Sequence, residues 1–68
     1  MSETLLNTLK DERERLGLTQ AALAERVGVS RKTINTVENG VFVPSTILAL
    51  KLAAALDRPV EGLFRISS

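Results

Sequence analysis

The sequence predicts an all-α fold of five short helices, and three observations carry that expectation. Leu and Ala dominate the apolar residues of the 68-residue chain, and two Phe are its only aromatic side chains. That composition suits helices rather than strands. Apolar residues recur at about 100° per residue in successive segments. Thr, Ser and Pro residues that can open helices alternate with Gly residues that can close them. The length confines the fold to one domain over residues 1–68. A chain this short buries only about 60% of its unfolded surface, so modest stability is expected.

The first helix is expected from about Thr4 to Arg15. Leu5, Leu6, Leu9 and Leu16 make its apolar side, and Gly17 ends it. Glu12 interrupts that side and weakens its amphipathic pattern. Thr19 can cap the second helix, Gln20 to Val27, whose Leu23, Ala24 and Val27 share one face. Gly28 then supplies a left-handed turn residue. Val29 packs inward, Ser30 caps the third helix, Arg31 to Asn39 form its body, and Gly40 stops it. Two helices hinged at such a tight glycine turn are the sequence form of a helix-turn-helix unit.

The third helix has two chemically distinct sides. Thr33, Ile34 and Val37 fall on one; Arg31, Lys32, Asn35 and Thr36 fall on the other, which carries no acid. Arg and Lys can donate to guanine O6 and N7, Asn can bind adenine bidentately, and Thr offers a hydroxyl and a methyl. An ordinary solvated helix face has a similar composition, and this helix alone does not decide between the two.

In the next loop, Val41 to Pro44, Phe42 is expected to anchor the segment to the core. Ser45 caps a fourth helix, Thr46 to Leu56, with apolar stripes at Leu48, Leu52, Leu56 and at Ile47, Leu50, Ala54. A helix apolar nearly all round is surrounded by other structure. Asp57 and Arg58 turn the chain, and Pro59 opens a short fifth helix with Val60, Leu63 and Phe64 as its apolar positions. Phe64-Arg65-Ile66 alternates, which permits, without requiring, a short C-terminal strand.

Taken in order, Arg13, GLTQ at Gly17 to Gln20, LA at Leu23 and Ala24, VGVSR at Val27 to Arg31, TIN at Thr33 to Asn35, ENG at Glu38 to Gly40 and VPST..LALKLA at Val43 to Ala53 make the chain resemble the lambda-repressor-like, Cro/XRE-type helix-turn-helix regulators. The resemblance spans Leu9 to about Phe64. It implies a compact five-helix DNA-binding domain whose third helix enters the major groove of double-stranded DNA. Arg31, Lys32, Thr36 and Asn35 would then read bases, while Gln20, Ser30 and Asn39 hold phosphates. It also implies an ion pair between Arg13 and Glu38; the competing role for Arg13 is a phosphate contact. Val41 departs from the basic residue that many relatives carry there, which removes one expected phosphate contact.

The resemblance implies a transcriptional regulator, acting as a repressor by occupying promoter DNA, and a homodimer on a palindromic operator. Surplus apolar surface at Ile47, Leu50, Phe64 and Ile66 marks residues 47–68 for dimerisation, and the resemblance implies pairing of the last residues as strands across a two-fold axis, as in some short members of the family. A protein-interaction or antitoxin-like module on the same fold is the alternative, and would favour an apolar or acidic outward face on the third helix.

Other classes find little support. With no Cys and no His, disulfides, the usual zinc sites and nucleophiles built on those residues are excluded. No phosphate-binding glycine loop appears, so neither an enzyme nor a cofactor or metal is expected. The net charge of +1 does not announce a polyanion partner, although a local patch can serve DNA. No signal-peptide pattern opens the chain, and Ile47 to Leu56 is too short to span a bilayer, so no membrane association and a cytoplasmic location are expected.

Overall fold

Thr4 is already extended where the sequence predicts helix, and the element order follows from that. In the computed structural model, which describes residues 3–67, β1 (Thr4–Asn7) precedes α1 (Leu9–Arg15). Then come α2 (Gln20–Val27), α3 (Arg31–Glu38), α4 (Thr46–Leu56), α5 (Val60–Leu63) and β2 (Phe64–Ser67). The helices enclose one core in which Leu9, Leu23, Ile34, Leu52, Leu56 and Leu63 are almost wholly buried. Among the described residues no helix is long and apolar enough to cross a membrane.

Local chemistry places the three longest helices. The hydroxyls of Thr19, Ser30 and Ser45 accept from the backbone N–H groups of Ala22, Thr33 and Leu48 at 3.0, 3.1 and 3.1 Å. Each thereby satisfies a donor that the first helical turn leaves free. Gly28 closes α2 at φ 75°, in the left-handed region where a Cβ is disfavoured. Asp57 closes α4 in the same region at φ 54°, a conformation that short polar side chains tolerate better than most.

The predicted first helix is corrected at its start. Thr4–Asn7 pairs antiparallel with β2, in the register Thr4 to Ser67, Leu5 to Ile66, Leu6 to Arg65 and Asn7 to Phe64. In a strand the neighbouring Leu5 and Leu6 point to opposite faces, and only Leu5 packs against the core. Asn7 marks the switch to helix. Its Oδ1 accepts from the Leu9 N–H at 3.0 Å, and its Nδ2 donates to the Val37 carbonyl at 3.0 Å. Thr8 adds a backbone bond to the Leu63 carbonyl and a hydroxyl bond to the Gly62 carbonyl. The C-terminal strand therefore exists, and one of its edges is filled from within the chain.

Glu12, the residue that spoiled the amphipathic pattern of α1, has a structural use. Its Oε1 accepts from Arg15 Nε at 2.7 Å and from Arg58 Nε at 3.1 Å. The hydrogen bond from Arg15, aided by the charge of Arg58, holds the Glu12 carboxyl below its ordinary pKa. Arg15 also donates to the Leu56 carbonyl at 2.9 Å, closing the end of α4. Phe42 corrects a second expectation. It remains 47% exposed rather than anchored in the core.

Asn7→Ala removes both bonds that tie β1, α1 and α3 together. The expected cost is about 1–2 kcal/mol, or a fall in Tm of roughly 4–8 °C per kcal/mol in a domain of this size. Thermal melts check it; an unchanged Tm would show that neither bond contributes.

Candidate nucleic-acid interface

The turn between α2 and α3 is closed by backbone bonds from Gly28 N–H to the Glu25 carbonyl (3.3 Å) and from Val29 N–H to the Ala24 carbonyl (3.0 Å). Val29 packs against the core. Beneath α3, Ile34 and Val37 are buried. Helical geometry then turns Arg31, Lys32 and Asn35 to the exterior, where all three are exposed. Among the described residues neither Arg31 nor Lys32 belongs to an ion pair. Two cations with no internal partner therefore stand on the opening turn of α3.

The remaining sequence-predicted site residues are more constrained. Thr36 is half-buried, and its hydroxyl donates to the Thr33 carbonyl at 3.0 Å. Its methyl and its acceptor lone pairs remain for a partner. Ser30 Oγ already caps α3 and contacts Thr33 Oγ1 at 2.9 Å. Asn39 is exposed at the end of α3 and donates its Nδ2 to Asn35 Oδ1 at 3.2 Å.

Below this face lies a buried ion pair. Arg13 Nε and Nη2 donate to Glu38 Oε2 and Oε1 at 2.6 and 3.2 Å, and Nη1 donates to the Leu18 carbonyl at 2.8 Å. The two side chains are only 9% and 4% exposed. The hydrogen bonds to Glu38 hold the Arg13 guanidinium above its ordinary pKa against the opposing cost of burial. All three of its nitrogens donate inside the domain, which favours the structural reading of Arg13 over a phosphate contact. Gln20 Nε2 joins the same carboxylate, donating to Glu38 Oε1 at 3.0 Å and to Asn35 Oδ1 at 3.3 Å. Both hydrogens of that amide are thus taken by partners within the chain. What Gln20 offers a phosphate is its backbone N–H at the positive end of α2.

The proposed dimer residues divide. Ile47, Leu50 and Ile66 are 68%, 56% and 62% exposed, whereas Phe64 is 9% exposed and belongs to the core of its own chain. Phe64 is therefore removed as a surface anchor, because its side chain packs with the core cluster of its own chain. Beside Leu50 an open groove of 460 Å³ runs past Val43, Pro44, Ala49 and Val60. The resemblance implies that Gln20 braces the third helix; sequence reasoning missed that Asn35 is the shared acceptor of Gln20 and Asn39, because short amides carry no periodic signal. It missed Asn7 too, although Asn followed by Thr is itself a helix-start signal.

A family profile described as helix-turn-helix matches residues 9–63. An uncharacterized HTH-type transcriptional regulator of Methanothermobacter thermautotrophicus is 51% identical over 57 residues, covering 82% of this chain and 83% of that protein. Antitoxin HigA-1 of Vibrio cholerae is 44% identical over 48 residues, covering 71% of this chain and 45% of that protein. Among solved structures, the restriction-modification controller protein C.AhdI from Aeromonas hydrophila is similar with a TM-score of 0.75 and 37% identity, over 79% of this chain and 82% of that one.

Arg13→Ala strands a buried carboxylate, which costs about 3–5 kcal/mol; an exposed pair would cost under about 1 kcal/mol. Denaturant unfolding of Arg13→Ala, Glu38→Ala and the double variant forms a thermodynamic cycle. The double variant is expected to lose much less than the sum of the two. Strict additivity would mean that the two charges do not couple.

Proposed function

From the premise that the chain belongs to the Cro/XRE-type helix-turn-helix family, we propose that it is a sequence-specific double-stranded-DNA-binding transcriptional regulator. It acts as a homodimeric repressor on a palindromic operator. The observation that carries this reading is the pair of unpartnered cations, Arg31 and Lys32, beside Asn35 on the exposed face of α3. With α3 in the major groove, Arg31, Lys32, Asn35 and Thr36 read base edges. The backbone N–H of Gln20, with Ser30 and Asn39, sets the register on phosphates. Val41 adds no charge there, so the salt dependence is shallow for a DNA-binding domain.

Dimerisation falls to residues 47–68. Ile47, Leu50 and Ile66 stand out of the core, and Leu50 also lines an apolar groove with Val43, Pro44, Ala49 and Val60. Exposed apolar surface of this kind marks an interaction site. Two recognition helices about 34 Å apart then read successive turns of one DNA face.

The similarity to antitoxin HigA-1 supports a second reading, in which the α4 groove holds a different protein. The two separate by composition of the complex. Sedimentation of the full chain should give a dimer in the micromolar range, and Leu50→Asp should make it monomeric. A chain that stays monomeric at high micromolar concentration, without DNA, refutes the homodimer.

Selection from a random duplex library, followed by a salt titration of the winning sequence, tests the DNA reading. A palindromic consensus is expected. Arg31→Ala or Lys32→Ala should each relax one position per half-site, at about 1–3 kcal/mol of discrimination. Full affinity and selectivity in both variants would refute the role given to α3.

A further inference from the structure

We propose that Asn35 reads only hydrogen-bond acceptors on a base edge, guanine O6 and N7 or thymine O4, and that the buried Glu38 dictates this through Gln20. The proposal rests on α3 being the recognition helix and names the chemistry that one of its residues selects. It excludes the bidentate adenine contact that an isolated Asn would be expected to make.

A carboxylate can only accept hydrogen bonds. The atom of Gln20 that faces Glu38 Oε1 at 3.0 Å is therefore its amide nitrogen. That nitrogen carries a second hydrogen, directed at Asn35 across 3.3 Å, so the Asn35 atom there is its oxygen. Asn39 Nδ2 donates to the same oxygen at 3.2 Å. An amide oxygen has two lone pairs, and both are engaged. The orientation of Asn35, ordinarily ambiguous for an amide, follows from the fixed polarity of Glu38.

Asn35 is left with its NH₂ group toward solvent, and no partner for that group exists among the described residues. Adenine presents an acceptor at N7 and a donor at N6, so a bidentate contact needs both ends of the amide. The acceptor end is committed inside the protein. Guanine presents two acceptors in the major groove and thymine one, and these match a side chain that can only donate, whereas the acceptor N7 of adenine stands beside the N6 donor, which an outward NH₂ opposes. Arg13 holds Glu38 from the other side through its own two bonds. A charge under α3 thereby sets the polarity of a group on its surface.

The test is selection of random duplexes with the full chain and with Asn35→Ala, Asn35→Asp and Gln20→Met. The wild-type consensus should hold guanine or thymine at the position that Asn35→Ala relaxes, with about a tenfold loss of preference there. Asn35→Asp keeps an oxygen toward Gln20 and turns a second one outward. It should move the preference to cytosine, whose N4 donates, a change that a merely structural role would not produce. Gln20→Met frees one lone pair of Asn35 and should raise adenine at the same position. If that variant fails to melt cooperatively, the Asn35→Asp result decides alone. Adenine preferred by the wild type at the Asn35-dependent position overturns the proposal, as does a consensus that neither Asn35 variant alters. A wild-type chain that enriches no duplex overturns the DNA-binding reading as well, which separates the two failures.

Discussion

The contact on which the rest depends is the buried pair of Arg13 and Glu38. Both charges lie almost out of water, where either alone would be expensive to hold. The fork of Arg13 closes on both carboxylate oxygens and on the Leu18 carbonyl, a geometry that admits little play. One guanidinium thus ties α1 to the end of α3 and to the turn before α2. Gln20 brings the start of α2 to the same carboxylate. The pair acts chiefly on geometry: it fixes where α3 stands and which way the amides beside it face. The exposed contacts of Glu12 with Arg15 and Arg58 are of another kind, since solvent screens much of their attraction.

Around that clamp, α3 is held as a rigid platform. Its start is capped by Ser30, its underside is buried through Ile34 and Val37, and Gly28 sets its angle to α2. Side chains on a packed helix are positioned more sharply than those on a loop. That difference matters for the base reading proposed for this face. The hydroxyl bond of Thr36 to the Thr33 carbonyl and the inward commitment of Gln20 leave fewer free donors than the residue list suggests. The outward face presents two cations, the amide of Asn35 and the half-buried Thr36.

The two ends of the chain are joined by β1 and β2, and α4 lies between two environments. Leu48, Leu52 and Leu56 fill the core, while Ile47 and Leu50 face outward. Among the described residues nothing covers that outer side of the helix. The surplus becomes the surface for a second chain in the proposed function.

The sequence by itself determined the elements whose causes are local. The caps at Thr19, Ser30 and Ser45, the left-handed Gly28 and the inward Leu23, Ile34 and Leu52 were all legible, because each acts within a few residues of itself. The contact between Arg13 and Glu38 was legible only through the resemblance, since nothing in the spacing of two charges far apart in the chain announces that they meet. Tertiary structure alone decided that Thr4–Asn7 is a strand. Its leucines satisfy a helical pattern too, and the choice turns on hydrogen bonds to residues at the opposite end of the chain. It also decided that Phe64 is core, that Phe42 is not, and that the oxygen of Asn35 faces inward. Each of these outcomes depends on which distant polar or apolar group arrives beside the residue, and a local pattern holds no record of that.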